Sequence, residues 1–163
     1  MRVSFVTGFG PVVRDIESSR AFWARGLGIA LEKVAPNYWA TEELDGVNAF
    51  TLWPLDHAAT SCFGTDVWPD EIPTPQAWME LDVESHEAVG DAVAELEAAG
   101  NRVLRGTRGE PGGRTTARLL TPEGLLVGIT HTPWMHRARA LTKPTRGGSR
   151  ELTMGHLKGK ARG

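Results

Sequence analysis

Two different spacings of hydrophobic residues meet in the middle of the chain. Between residues 77 and 83, apolar side chains alternate with Trp78, Glu80 and Asp82. A period of two over seven residues predicts a half-buried strand with these three side chains on one face. After Ser85, which stands at an N-cap position, the apolar residues follow the spacing of a helix. The segment therefore predicts a strand followed directly by an amphipathic helix.

The same strand–helix pattern occurs earlier in the chain. Residues 3–13 predict a strand, Asp15 takes the N-cap position, and residues 15–26 predict a helix. Aligning the two units places Gly8 at the position of Trp78. Two such units indicate an internal duplication.

Short strands and turns account for most of the remaining sequence. Residues 54–76 contain four prolines and no sustained periodicity, which predicts a connector with a short helix near 58–62. The further predicted strands are 29–34, 38–42, 47–53, 102–105, 114–120 and 126–132, with residues 106–113 as a turn-rich loop. The order is strand, helix, three strands, repeated once, which predicts an α+β fold with helices on one face of a mostly antiparallel sheet.

This order divides the chain into four parts. Residues 1–54 form the first βαβββ module, 55–76 the connector, 77–136 the second module, and 137–163 a C-terminal tail. The total of 163 residues fits one domain or two small modules that share a core.

Composition narrows the setting of the protein. A hydrophobic content of 40% is ordinary for a globular protein, and the single Cys62 cannot form an internal disulfide. A lone cysteine favours a reducing compartment, and no segment has the apolar length of a membrane span. We expect a cytoplasmic protein without a membrane partner.

Charge is distributed unevenly along the chain. Residues 1–136 hold 10 Lys and Arg against 19 Asp and Glu, whereas 137–163 hold 8 against one. The acidic body argues against nucleic acid as the main partner, although the basic tail could contact one. We expect the tail to be solvated and poorly ordered, because few apolar residues anchor it.

Three segments carry a resemblance to a known superfamily. They are VVRDIESSRAFWARGLG at 12–28, VESHEAVGDAVAELEAAG at 83–100 and LLTPEGLLVGI at 119–129. Together with the strand order they resemble the vicinal-oxygen-chelate superfamily, which includes glyoxalase I, extradiol dioxygenases and bleomycin-binding proteins. The resemblance covers roughly residues 3–133 and implies two βαβββ modules that each curl into half of a cup.

Metal-dependent members of that superfamily carry His, Glu or Gln ligands on the concave side of four strands. The corresponding positions here are Gly8, Trp78, Gly128 and a position near Thr51. Glycine has no donor side chain, and the indole N–H can only donate. A divalent metal needs three or four converging O, N or S donors. We therefore expect no metal and no cofactor.

The residues that replace the metal ligands of the superfamily suggest a different kind of ligand. Trp78 and Trp53 offer flat aromatic surfaces, and such a cavity suits a planar organic molecule. The leading hypothesis is a metal-independent small-molecule-binding protein, resembling the bleomycin-resistance type, that works as a homodimer without catalytic residues. The expected ligand-binding residues are Trp53, Trp78, Glu80 and Arg118 as contacts, and Gly8, Gly10 and Gly128 as positions that make room.

Two alternatives remain open. One is a lyase, isomerase or dioxygenase whose metal uses shifted ligands such as Glu80 with His57 or His131, or a metal-free enzyme with Glu80 as the base. The other is an interaction module that binds its partner through the basic tail. Arg118 either points into the cup or pairs with a carboxylate, and Asp82 is expected to be solvated or paired with an arginine.

Overall fold

Eight strands form a single open sheet in a computed structural model that describes residues 1–142. Their order across the sheet is β2-β3-β4-β1-β5-β8-β7-β6. The elements are β1 Val3–Val13, α1 Ile16–Arg20 with a π-helical continuation Ala21–Gly26, β2 Glu32–Ala35, β3 Tyr38–Thr41, β4 Phe50–Pro54, α2 Leu55–Phe63, β5 Ala77–Val83, α3 His86–Ala98, β6 Val103–Glu110, a 3-10 turn Pro111–Gly113, β7 Arg114–Leu120, β8 Leu126–His131 and α4 Pro133–Thr142.

Both predicted strand–helix units are present with the predicted caps. The Asp15 side chain accepts hydrogen bonds from the backbone N–H groups of Glu17 and Ser18. The Ser85 hydroxyl oxygen accepts one from Ala88 N at 3.2 Å. These bonds satisfy N–H groups that the first turn of a helix leaves free, which fixes where each helix begins.

The two βαβββ modules meet inside one chain. Strand β1 pairs antiparallel with β5, so the first strands of the two modules lie side by side. Each of them also pairs in parallel with the last strand of its own module, β1 with β4 and β5 with β8. The remaining neighbours are antiparallel. The predicted α+β class is confirmed, and the sheet is mixed with mostly antiparallel pairs.

The two faces of the sheet carry different side chains and are packed by different helices. Helices α1 and α3 pack on one face, where Phe50 and Leu52 of β4 meet Ile16, and Val127 and Ile129 of β8 meet Val89. The opposite face, which we call the inner face, carries the side chains of Trp53, Trp78, Glu80, Asp82 and Arg118. Helix α2 packs on this inner face through Ala58, Ala59 and Cys62, in one cluster with Trp53 and Trp78.

Several elements differ from the sequence-based expectation. The connector helix was expected near 58–62 and is longer, and it covers the inner face because its small residues fit against the two indoles. Strand β6 continues through residues expected to be loop, since its pairing with β7 extends to Glu110. Residues 137–142 lie in helix α4, whereas the rest of the predicted tail lies outside the described residues. No helix within residues 1–142 is long and apolar enough to cross a membrane.

Candidate functional site

A buried ion-pair network lies at the centre of the inner face. Glu80 Oε1 accepts a hydrogen bond from Arg118 Nη1 at 2.6 Å and another from Arg114 Nη2 at 2.9 Å. Glu110 pairs with Arg114 at 2.9 Å and lies 4.0 Å from Arg118. Arg118 Nε donates to the hydroxyl of Ser61 on α2 at 3.0 Å. Pointing into the cup and pairing with a carboxylate were alternatives for Arg118, and in the structure it pairs with Glu80 while it lines the inner face.

Burial and charge act against each other on Glu80. Burial alone would raise the pKa of its carboxyl, but the adjacent charges and hydrogen bonds of Arg118 and Arg114 outweigh it and hold the pKa below the ordinary value. The Arg118 pKa is raised correspondingly, because the attraction of Glu80 outweighs desolvation of the guanidinium. Glu80 stays ionised at neutral pH and is a weak base. The geometry thus does not favour the metal-free enzyme with Glu80 as its base.

A cavity of about 420 Å³ adjoins this network beneath α2. Its aromatic wall comprises Trp53 and Trp78, whose rings meet edge to face with centroids 5.4 Å apart. The Arg118 guanidinium lies over the Trp53 ring, 4.9 Å from its centroid. The lining residues are Tyr38, Trp53, His57, Thr60, Ser61, Trp78, Glu80, Arg108, Glu110, Arg114 and Arg118.

Both modules and the connector contribute to this cavity. Tyr38 comes from β3, His57 from α2, and Arg108 from β6. The Tyr38 and His57 rings are stacked with centroids 6.2 Å apart. Burial raises the pKa of the Tyr38 phenol, so its hydroxyl is neutral and able to donate at physiological pH. The lining residues of this chain thus come from the first module, the connector and the second module.

The space beside the three glycines, which was expected to hold a ligand, is occupied by neighbouring groups of the protein. A Cβ at Gly8 would lie 2.7 Å from Cη2 of Trp78, so the indole fills that space. A Cβ at Gly128 would overlap the Arg118 guanidinium, and one at Gly10 would overlap the backbone carbonyl of Thr51. None of the three glycines is among the described residues that line the cavity. Their absent side chains allow the indole and the ion pair to pack against the sheet.

The positions at which the superfamily resemblance implies metal ligands do not fit a metal ion. The indole of Trp78 occupies the space beside Gly8, and the Glu80–Arg118 pair occupies the space beside Gly128. Glu80 Oε1 is already engaged by two guanidinium groups. A shifted site of Glu80 with His57 would have to separate those ion pairs, whereas His131 lies elsewhere on the sheet.

A second polar cluster lies further along β5. Asp82 is fully buried, which corrects the expectation of a solvated or arginine-paired carboxylate. It contacts Nε2 of His136, and the His131 ring centroid is 4.7 Å from that of His136. The sequence did not indicate this cluster, because His131 and His136 are separated by a strand-to-helix turn and Asp82 is distant in the chain. The only available signal was the inward parity that Asp82 shares with Glu80.

Cys62 lies in the core between α2 and the sheet. Burial raises the pKa of its thiol to about 11, although Arg118 and Arg105 act in the opposite direction. A protonated, buried thiol is a poor nucleophile.

Comparison with known proteins is informative only at the level of structure. No protein-family model and no curated protein sequence matches this chain. A glyoxalase/bleomycin resistance protein/dioxygenase superfamily member from Vibrio splendidus 12B01 superimposes with a TM-score of 0.52 at 17% identity, covering 80% of this chain and 100% of that one. A protein from Legionella pneumophila, named as an NAD-dependent benzaldehyde dehydrogenase, has a TM-score of 0.51 at 13% identity, covering 76% of this chain and 96% of that one.

These similarities confirm the fold that the sequence resemblance implied. The chain has the fold of the glyoxalase/bleomycin resistance/dioxygenase superfamily. The two similar structures carry different names, and at such low identity a shared fold does not assign an activity. The fold alone therefore does not determine the activity of this chain.

Proposed function

We propose that this protein binds a small, planar organic molecule with an anionic group in the cavity beneath α2, without metal and without covalent chemistry. The observation that carries the proposal is the combination of two indoles with an arginine-rich wall in one cavity. This keeps the hypothesis of a Trp-lined binding protein and adds the charge of the ligand.

The size and lining of the cavity support an aromatic ligand. A volume of about 420 Å³ lies within the range typical of small-molecule sites. The Trp53 and Trp78 rings stand at 74° to each other. A flat ring placed against one indole face would meet the edge of the other, an arrangement that aromatic groups favour.

The charges around the cavity support an anionic group. Three arginines and two glutamates line it, and the glutamates are engaged by Arg114 and Arg118. Arg108 lines the same cavity from an exposed position on β6 and provides the excess positive charge. A guanidinium recognises a carboxylate through two parallel hydrogen bonds.

The test is a fluorescence titration with planar aromatic carboxylates and their matched neutral amides. We expect saturable quenching by the carboxylates, with a Kd in the range of about 1 μM, which corresponds to about −8 kcal/mol. Arg108→Gln should weaken carboxylate binding by about tenfold and leave amide binding unchanged, because it removes charge only. Trp78→Phe should weaken both classes of compound, because it removes aromatic contact area.

The matched control is Trp134→Phe, because Trp134 is exposed and does not line the cavity. It should leave the affinity unchanged, and circular dichroism of every variant verifies the fold. Chelator treatment should leave ligand affinity unchanged. Equal binding of acids and amides by the wild type would refute the anionic part of the proposal. Absence of saturable binding by both classes would refute the cavity as the site.

The homodimer implied by the superfamily resemblance stays a prediction. Light scattering coupled to size-exclusion chromatography measures the mass of the particle directly. A cavity wall built within one chain leads us to expect that ligand affinity does not change with protein concentration across the dimerisation range.

A further inference from the structure

We propose that Asp82, His131 and His136 bind a divalent transition-metal ion, with Zn²⁺ as the probe that fits their chemistry best. This site is separate from the cavity, so the inference does not rest on the proposed function. It also differs from the positions implied by the superfamily resemblance, which are Gly8, Trp78, Gly128 and a position near Thr51.

Three elements bring the ligands together. Asp82 lies on β5, His131 at the end of β8 and His136 in the first turns of α4. One potential ligand atom of each residue lies within 4.8 Å of those of the other two. A tetrahedral zinc ion with bonds of 2.0–2.1 Å to nitrogen and oxygen places its ligand atoms about 3.4 Å apart. Side-chain rotations that move the ligand atoms by about 1 Å would therefore bring them to the spacing that zinc requires.

The charge of Asp82 is the first argument for a cation. Its carboxylate is fully buried, and burial of an anion is costly unless a positive charge accompanies it. Glu80, the previous inward residue on the strand, has two arginines as partners. The ion-pair partner of Asp82 is His136, which supplies a full positive charge only when its imidazole is protonated. A bound divalent cation would supply that charge with neutral imidazoles.

Asp82 and His131 have outer hydrogen-bond partners of the kind that orient metal ligands. Asp82 Oδ2 accepts hydrogen bonds from Thr132 N at 2.9 Å and from the Thr7 hydroxyl at 3.3 Å, while Oδ1 faces His136. His131 Nδ1 lies 3.0 Å from the carbonyl oxygen of Val83. A hydrogen bond from Nδ1–H to a carbonyl leaves Nε2 with the lone pair that a metal requires. The contacts from Thr7, Thr132 and Val83 hold Asp82 and His131 in place from outside the site.

An open cleft gives a metal ion access. His136 lines a space of about 720 Å³ together with Phe5 and Asn48. The His136 ring lies against Phe5 with centroids 5.1 Å apart, and its side chain is 28% exposed. With two nitrogens and one oxygen from the protein, the fourth position would face this cleft and hold water. Oxygen and imidazole donors together suit Zn²⁺ and its neighbours rather than Mg²⁺ or Ca²⁺.

The test uses the full chain after treatment with a chelator and removal of that chelator. Isothermal titration with Zn²⁺ should give one ion per chain, and Co²⁺ should produce the intense visible absorption of a four-coordinate complex. His131→Ala and His136→Ala should each lower Zn²⁺ affinity by about 100-fold, since each removes one of three ligands. Asp82→Asn should also weaken binding. Zn²⁺ should raise the thermal midpoint of the wild type but not that of His136→Ala.

The matched control is His57→Ala, because His57 lines the other cavity. It should retain wild-type affinity for Zn²⁺. His136→Ala keeps the test decisive even where a buried variant fails to fold, because His136 is partly exposed. Wild-type protein that binds neither Zn²⁺ nor Co²⁺ at 1:1 would overturn the inference. Equal affinity of His136→Ala and the wild type would also overturn it, because the ion would then lie elsewhere.

Discussion

The buried pair of Glu80 and Arg118 allows a quantitative test of how the inner face is held together. The perturbation is a double-mutant cycle with Glu80→Met, Arg118→Met and the double variant. Methionine keeps most of the side-chain length of both residues and removes the charge. The cycle isolates the interaction between the two groups from the effect of each substitution on its own.

The expected magnitudes follow from the contacts. Arg118→Met removes the 2.6 Å bond to Glu80 and the bond to Ser61, but Arg114 still pairs with Glu80. Breaking a buried pair costs about 3–5 kcal/mol, so we expect about 3 kcal/mol of lost unfolding free energy. Glu80→Met leaves the buried Arg118 with Glu110 at 4.0 Å, and we expect about 4 kcal/mol.

The double variant leaves no unpaired charge of this pair in the interior. Arg114 keeps its ion pair with Glu110 at 2.9 Å. We therefore expect the double variant to lose at most about 4 kcal/mol rather than about 7, which is a coupling energy of about 3 kcal/mol. Replacing a whole buried pair by apolar side chains is commonly tolerated far better than removing one partner.

Urea unfolding followed by circular dichroism measures these differences, with an unchanged m-value as the sign that the unfolded states are comparable. The exposed pair of Arg20 with Glu17, at 2.8 Å, is the control. Glu17→Met should cost less than about 1 kcal/mol, because solvent screens an exposed pair. If the double variant loses the sum of the two single losses, the two groups are not coupled and the reasoning is wrong.

Three further predictions concern other parts of the structure. Gly10→Ala should lower the free energy of unfolding by about 3 kcal/mol or more, because the added Cβ would overlap the Thr51 carbonyl. The control Gly106→Ala in β6 should change it by less than about 0.5 kcal/mol, because no atom lies within 4 Å of the added Cβ. Equal effects of the two substitutions in urea unfolding would contradict this prediction. Because the pKa of Glu80 is lowered in the folded protein, its ionised carboxylate stabilises the fold at pH values above the ordinary pKa of 4.5. This stabilisation is lost as the pH falls through the lowered pKa of the folded state. Thermal melting from pH 7 to 3 should show the loss, and Glu80→Met should lack it. Burial raises the pKa of the Cys62 thiol from 9.0 to about 11. At pH 8 the thiol should therefore react with iodoacetamide at least about 100-fold more slowly in the native than in the urea-unfolded protein, as measured by mass spectrometry. Similar rates in the two states would show that the thiol is accessible in the native protein.

The limits of sequence-based prediction are clearest on β5. Alternation alone placed Trp78, Glu80 and Asp82 on one face, because side chains along a strand point to opposite sides with a period of two. It could not tell what each would face. Trp78 and Glu80 meet α2 and the arginines of β7, whereas Asp82 meets two histidines from β8 and α4. These partners are remote in sequence, and no local pattern encodes such pairings.

The glycines show a second limit. The sequence indicates missing side-chain volume at Gly8 and Gly128, but not which neighbour uses it. In the folded chain the Trp78 indole and the Arg118 guanidinium occupy those spaces. The connector poses the same problem, because its composition predicts a loop with a short helix and gives no direction for packing. Its helix covers the inner face because Ala58, Ala59 and Cys62 are small enough to lie against two indoles.

By itself, the sequence determined the two strand–helix units, their caps, the face of each strand residue and the α+β fold with its superfamily resemblance. These features depend on local spacing and on side-chain hydrogen bonds within a few residues. Only the tertiary structure decided that both modules form one cavity in a single chain, that Glu80 is held by two arginines, and that Asp82 meets His131 and His136. Those contacts arise when distant strands pair in register and helices pack on them, so they are properties of the assembled sheet rather than of any segment.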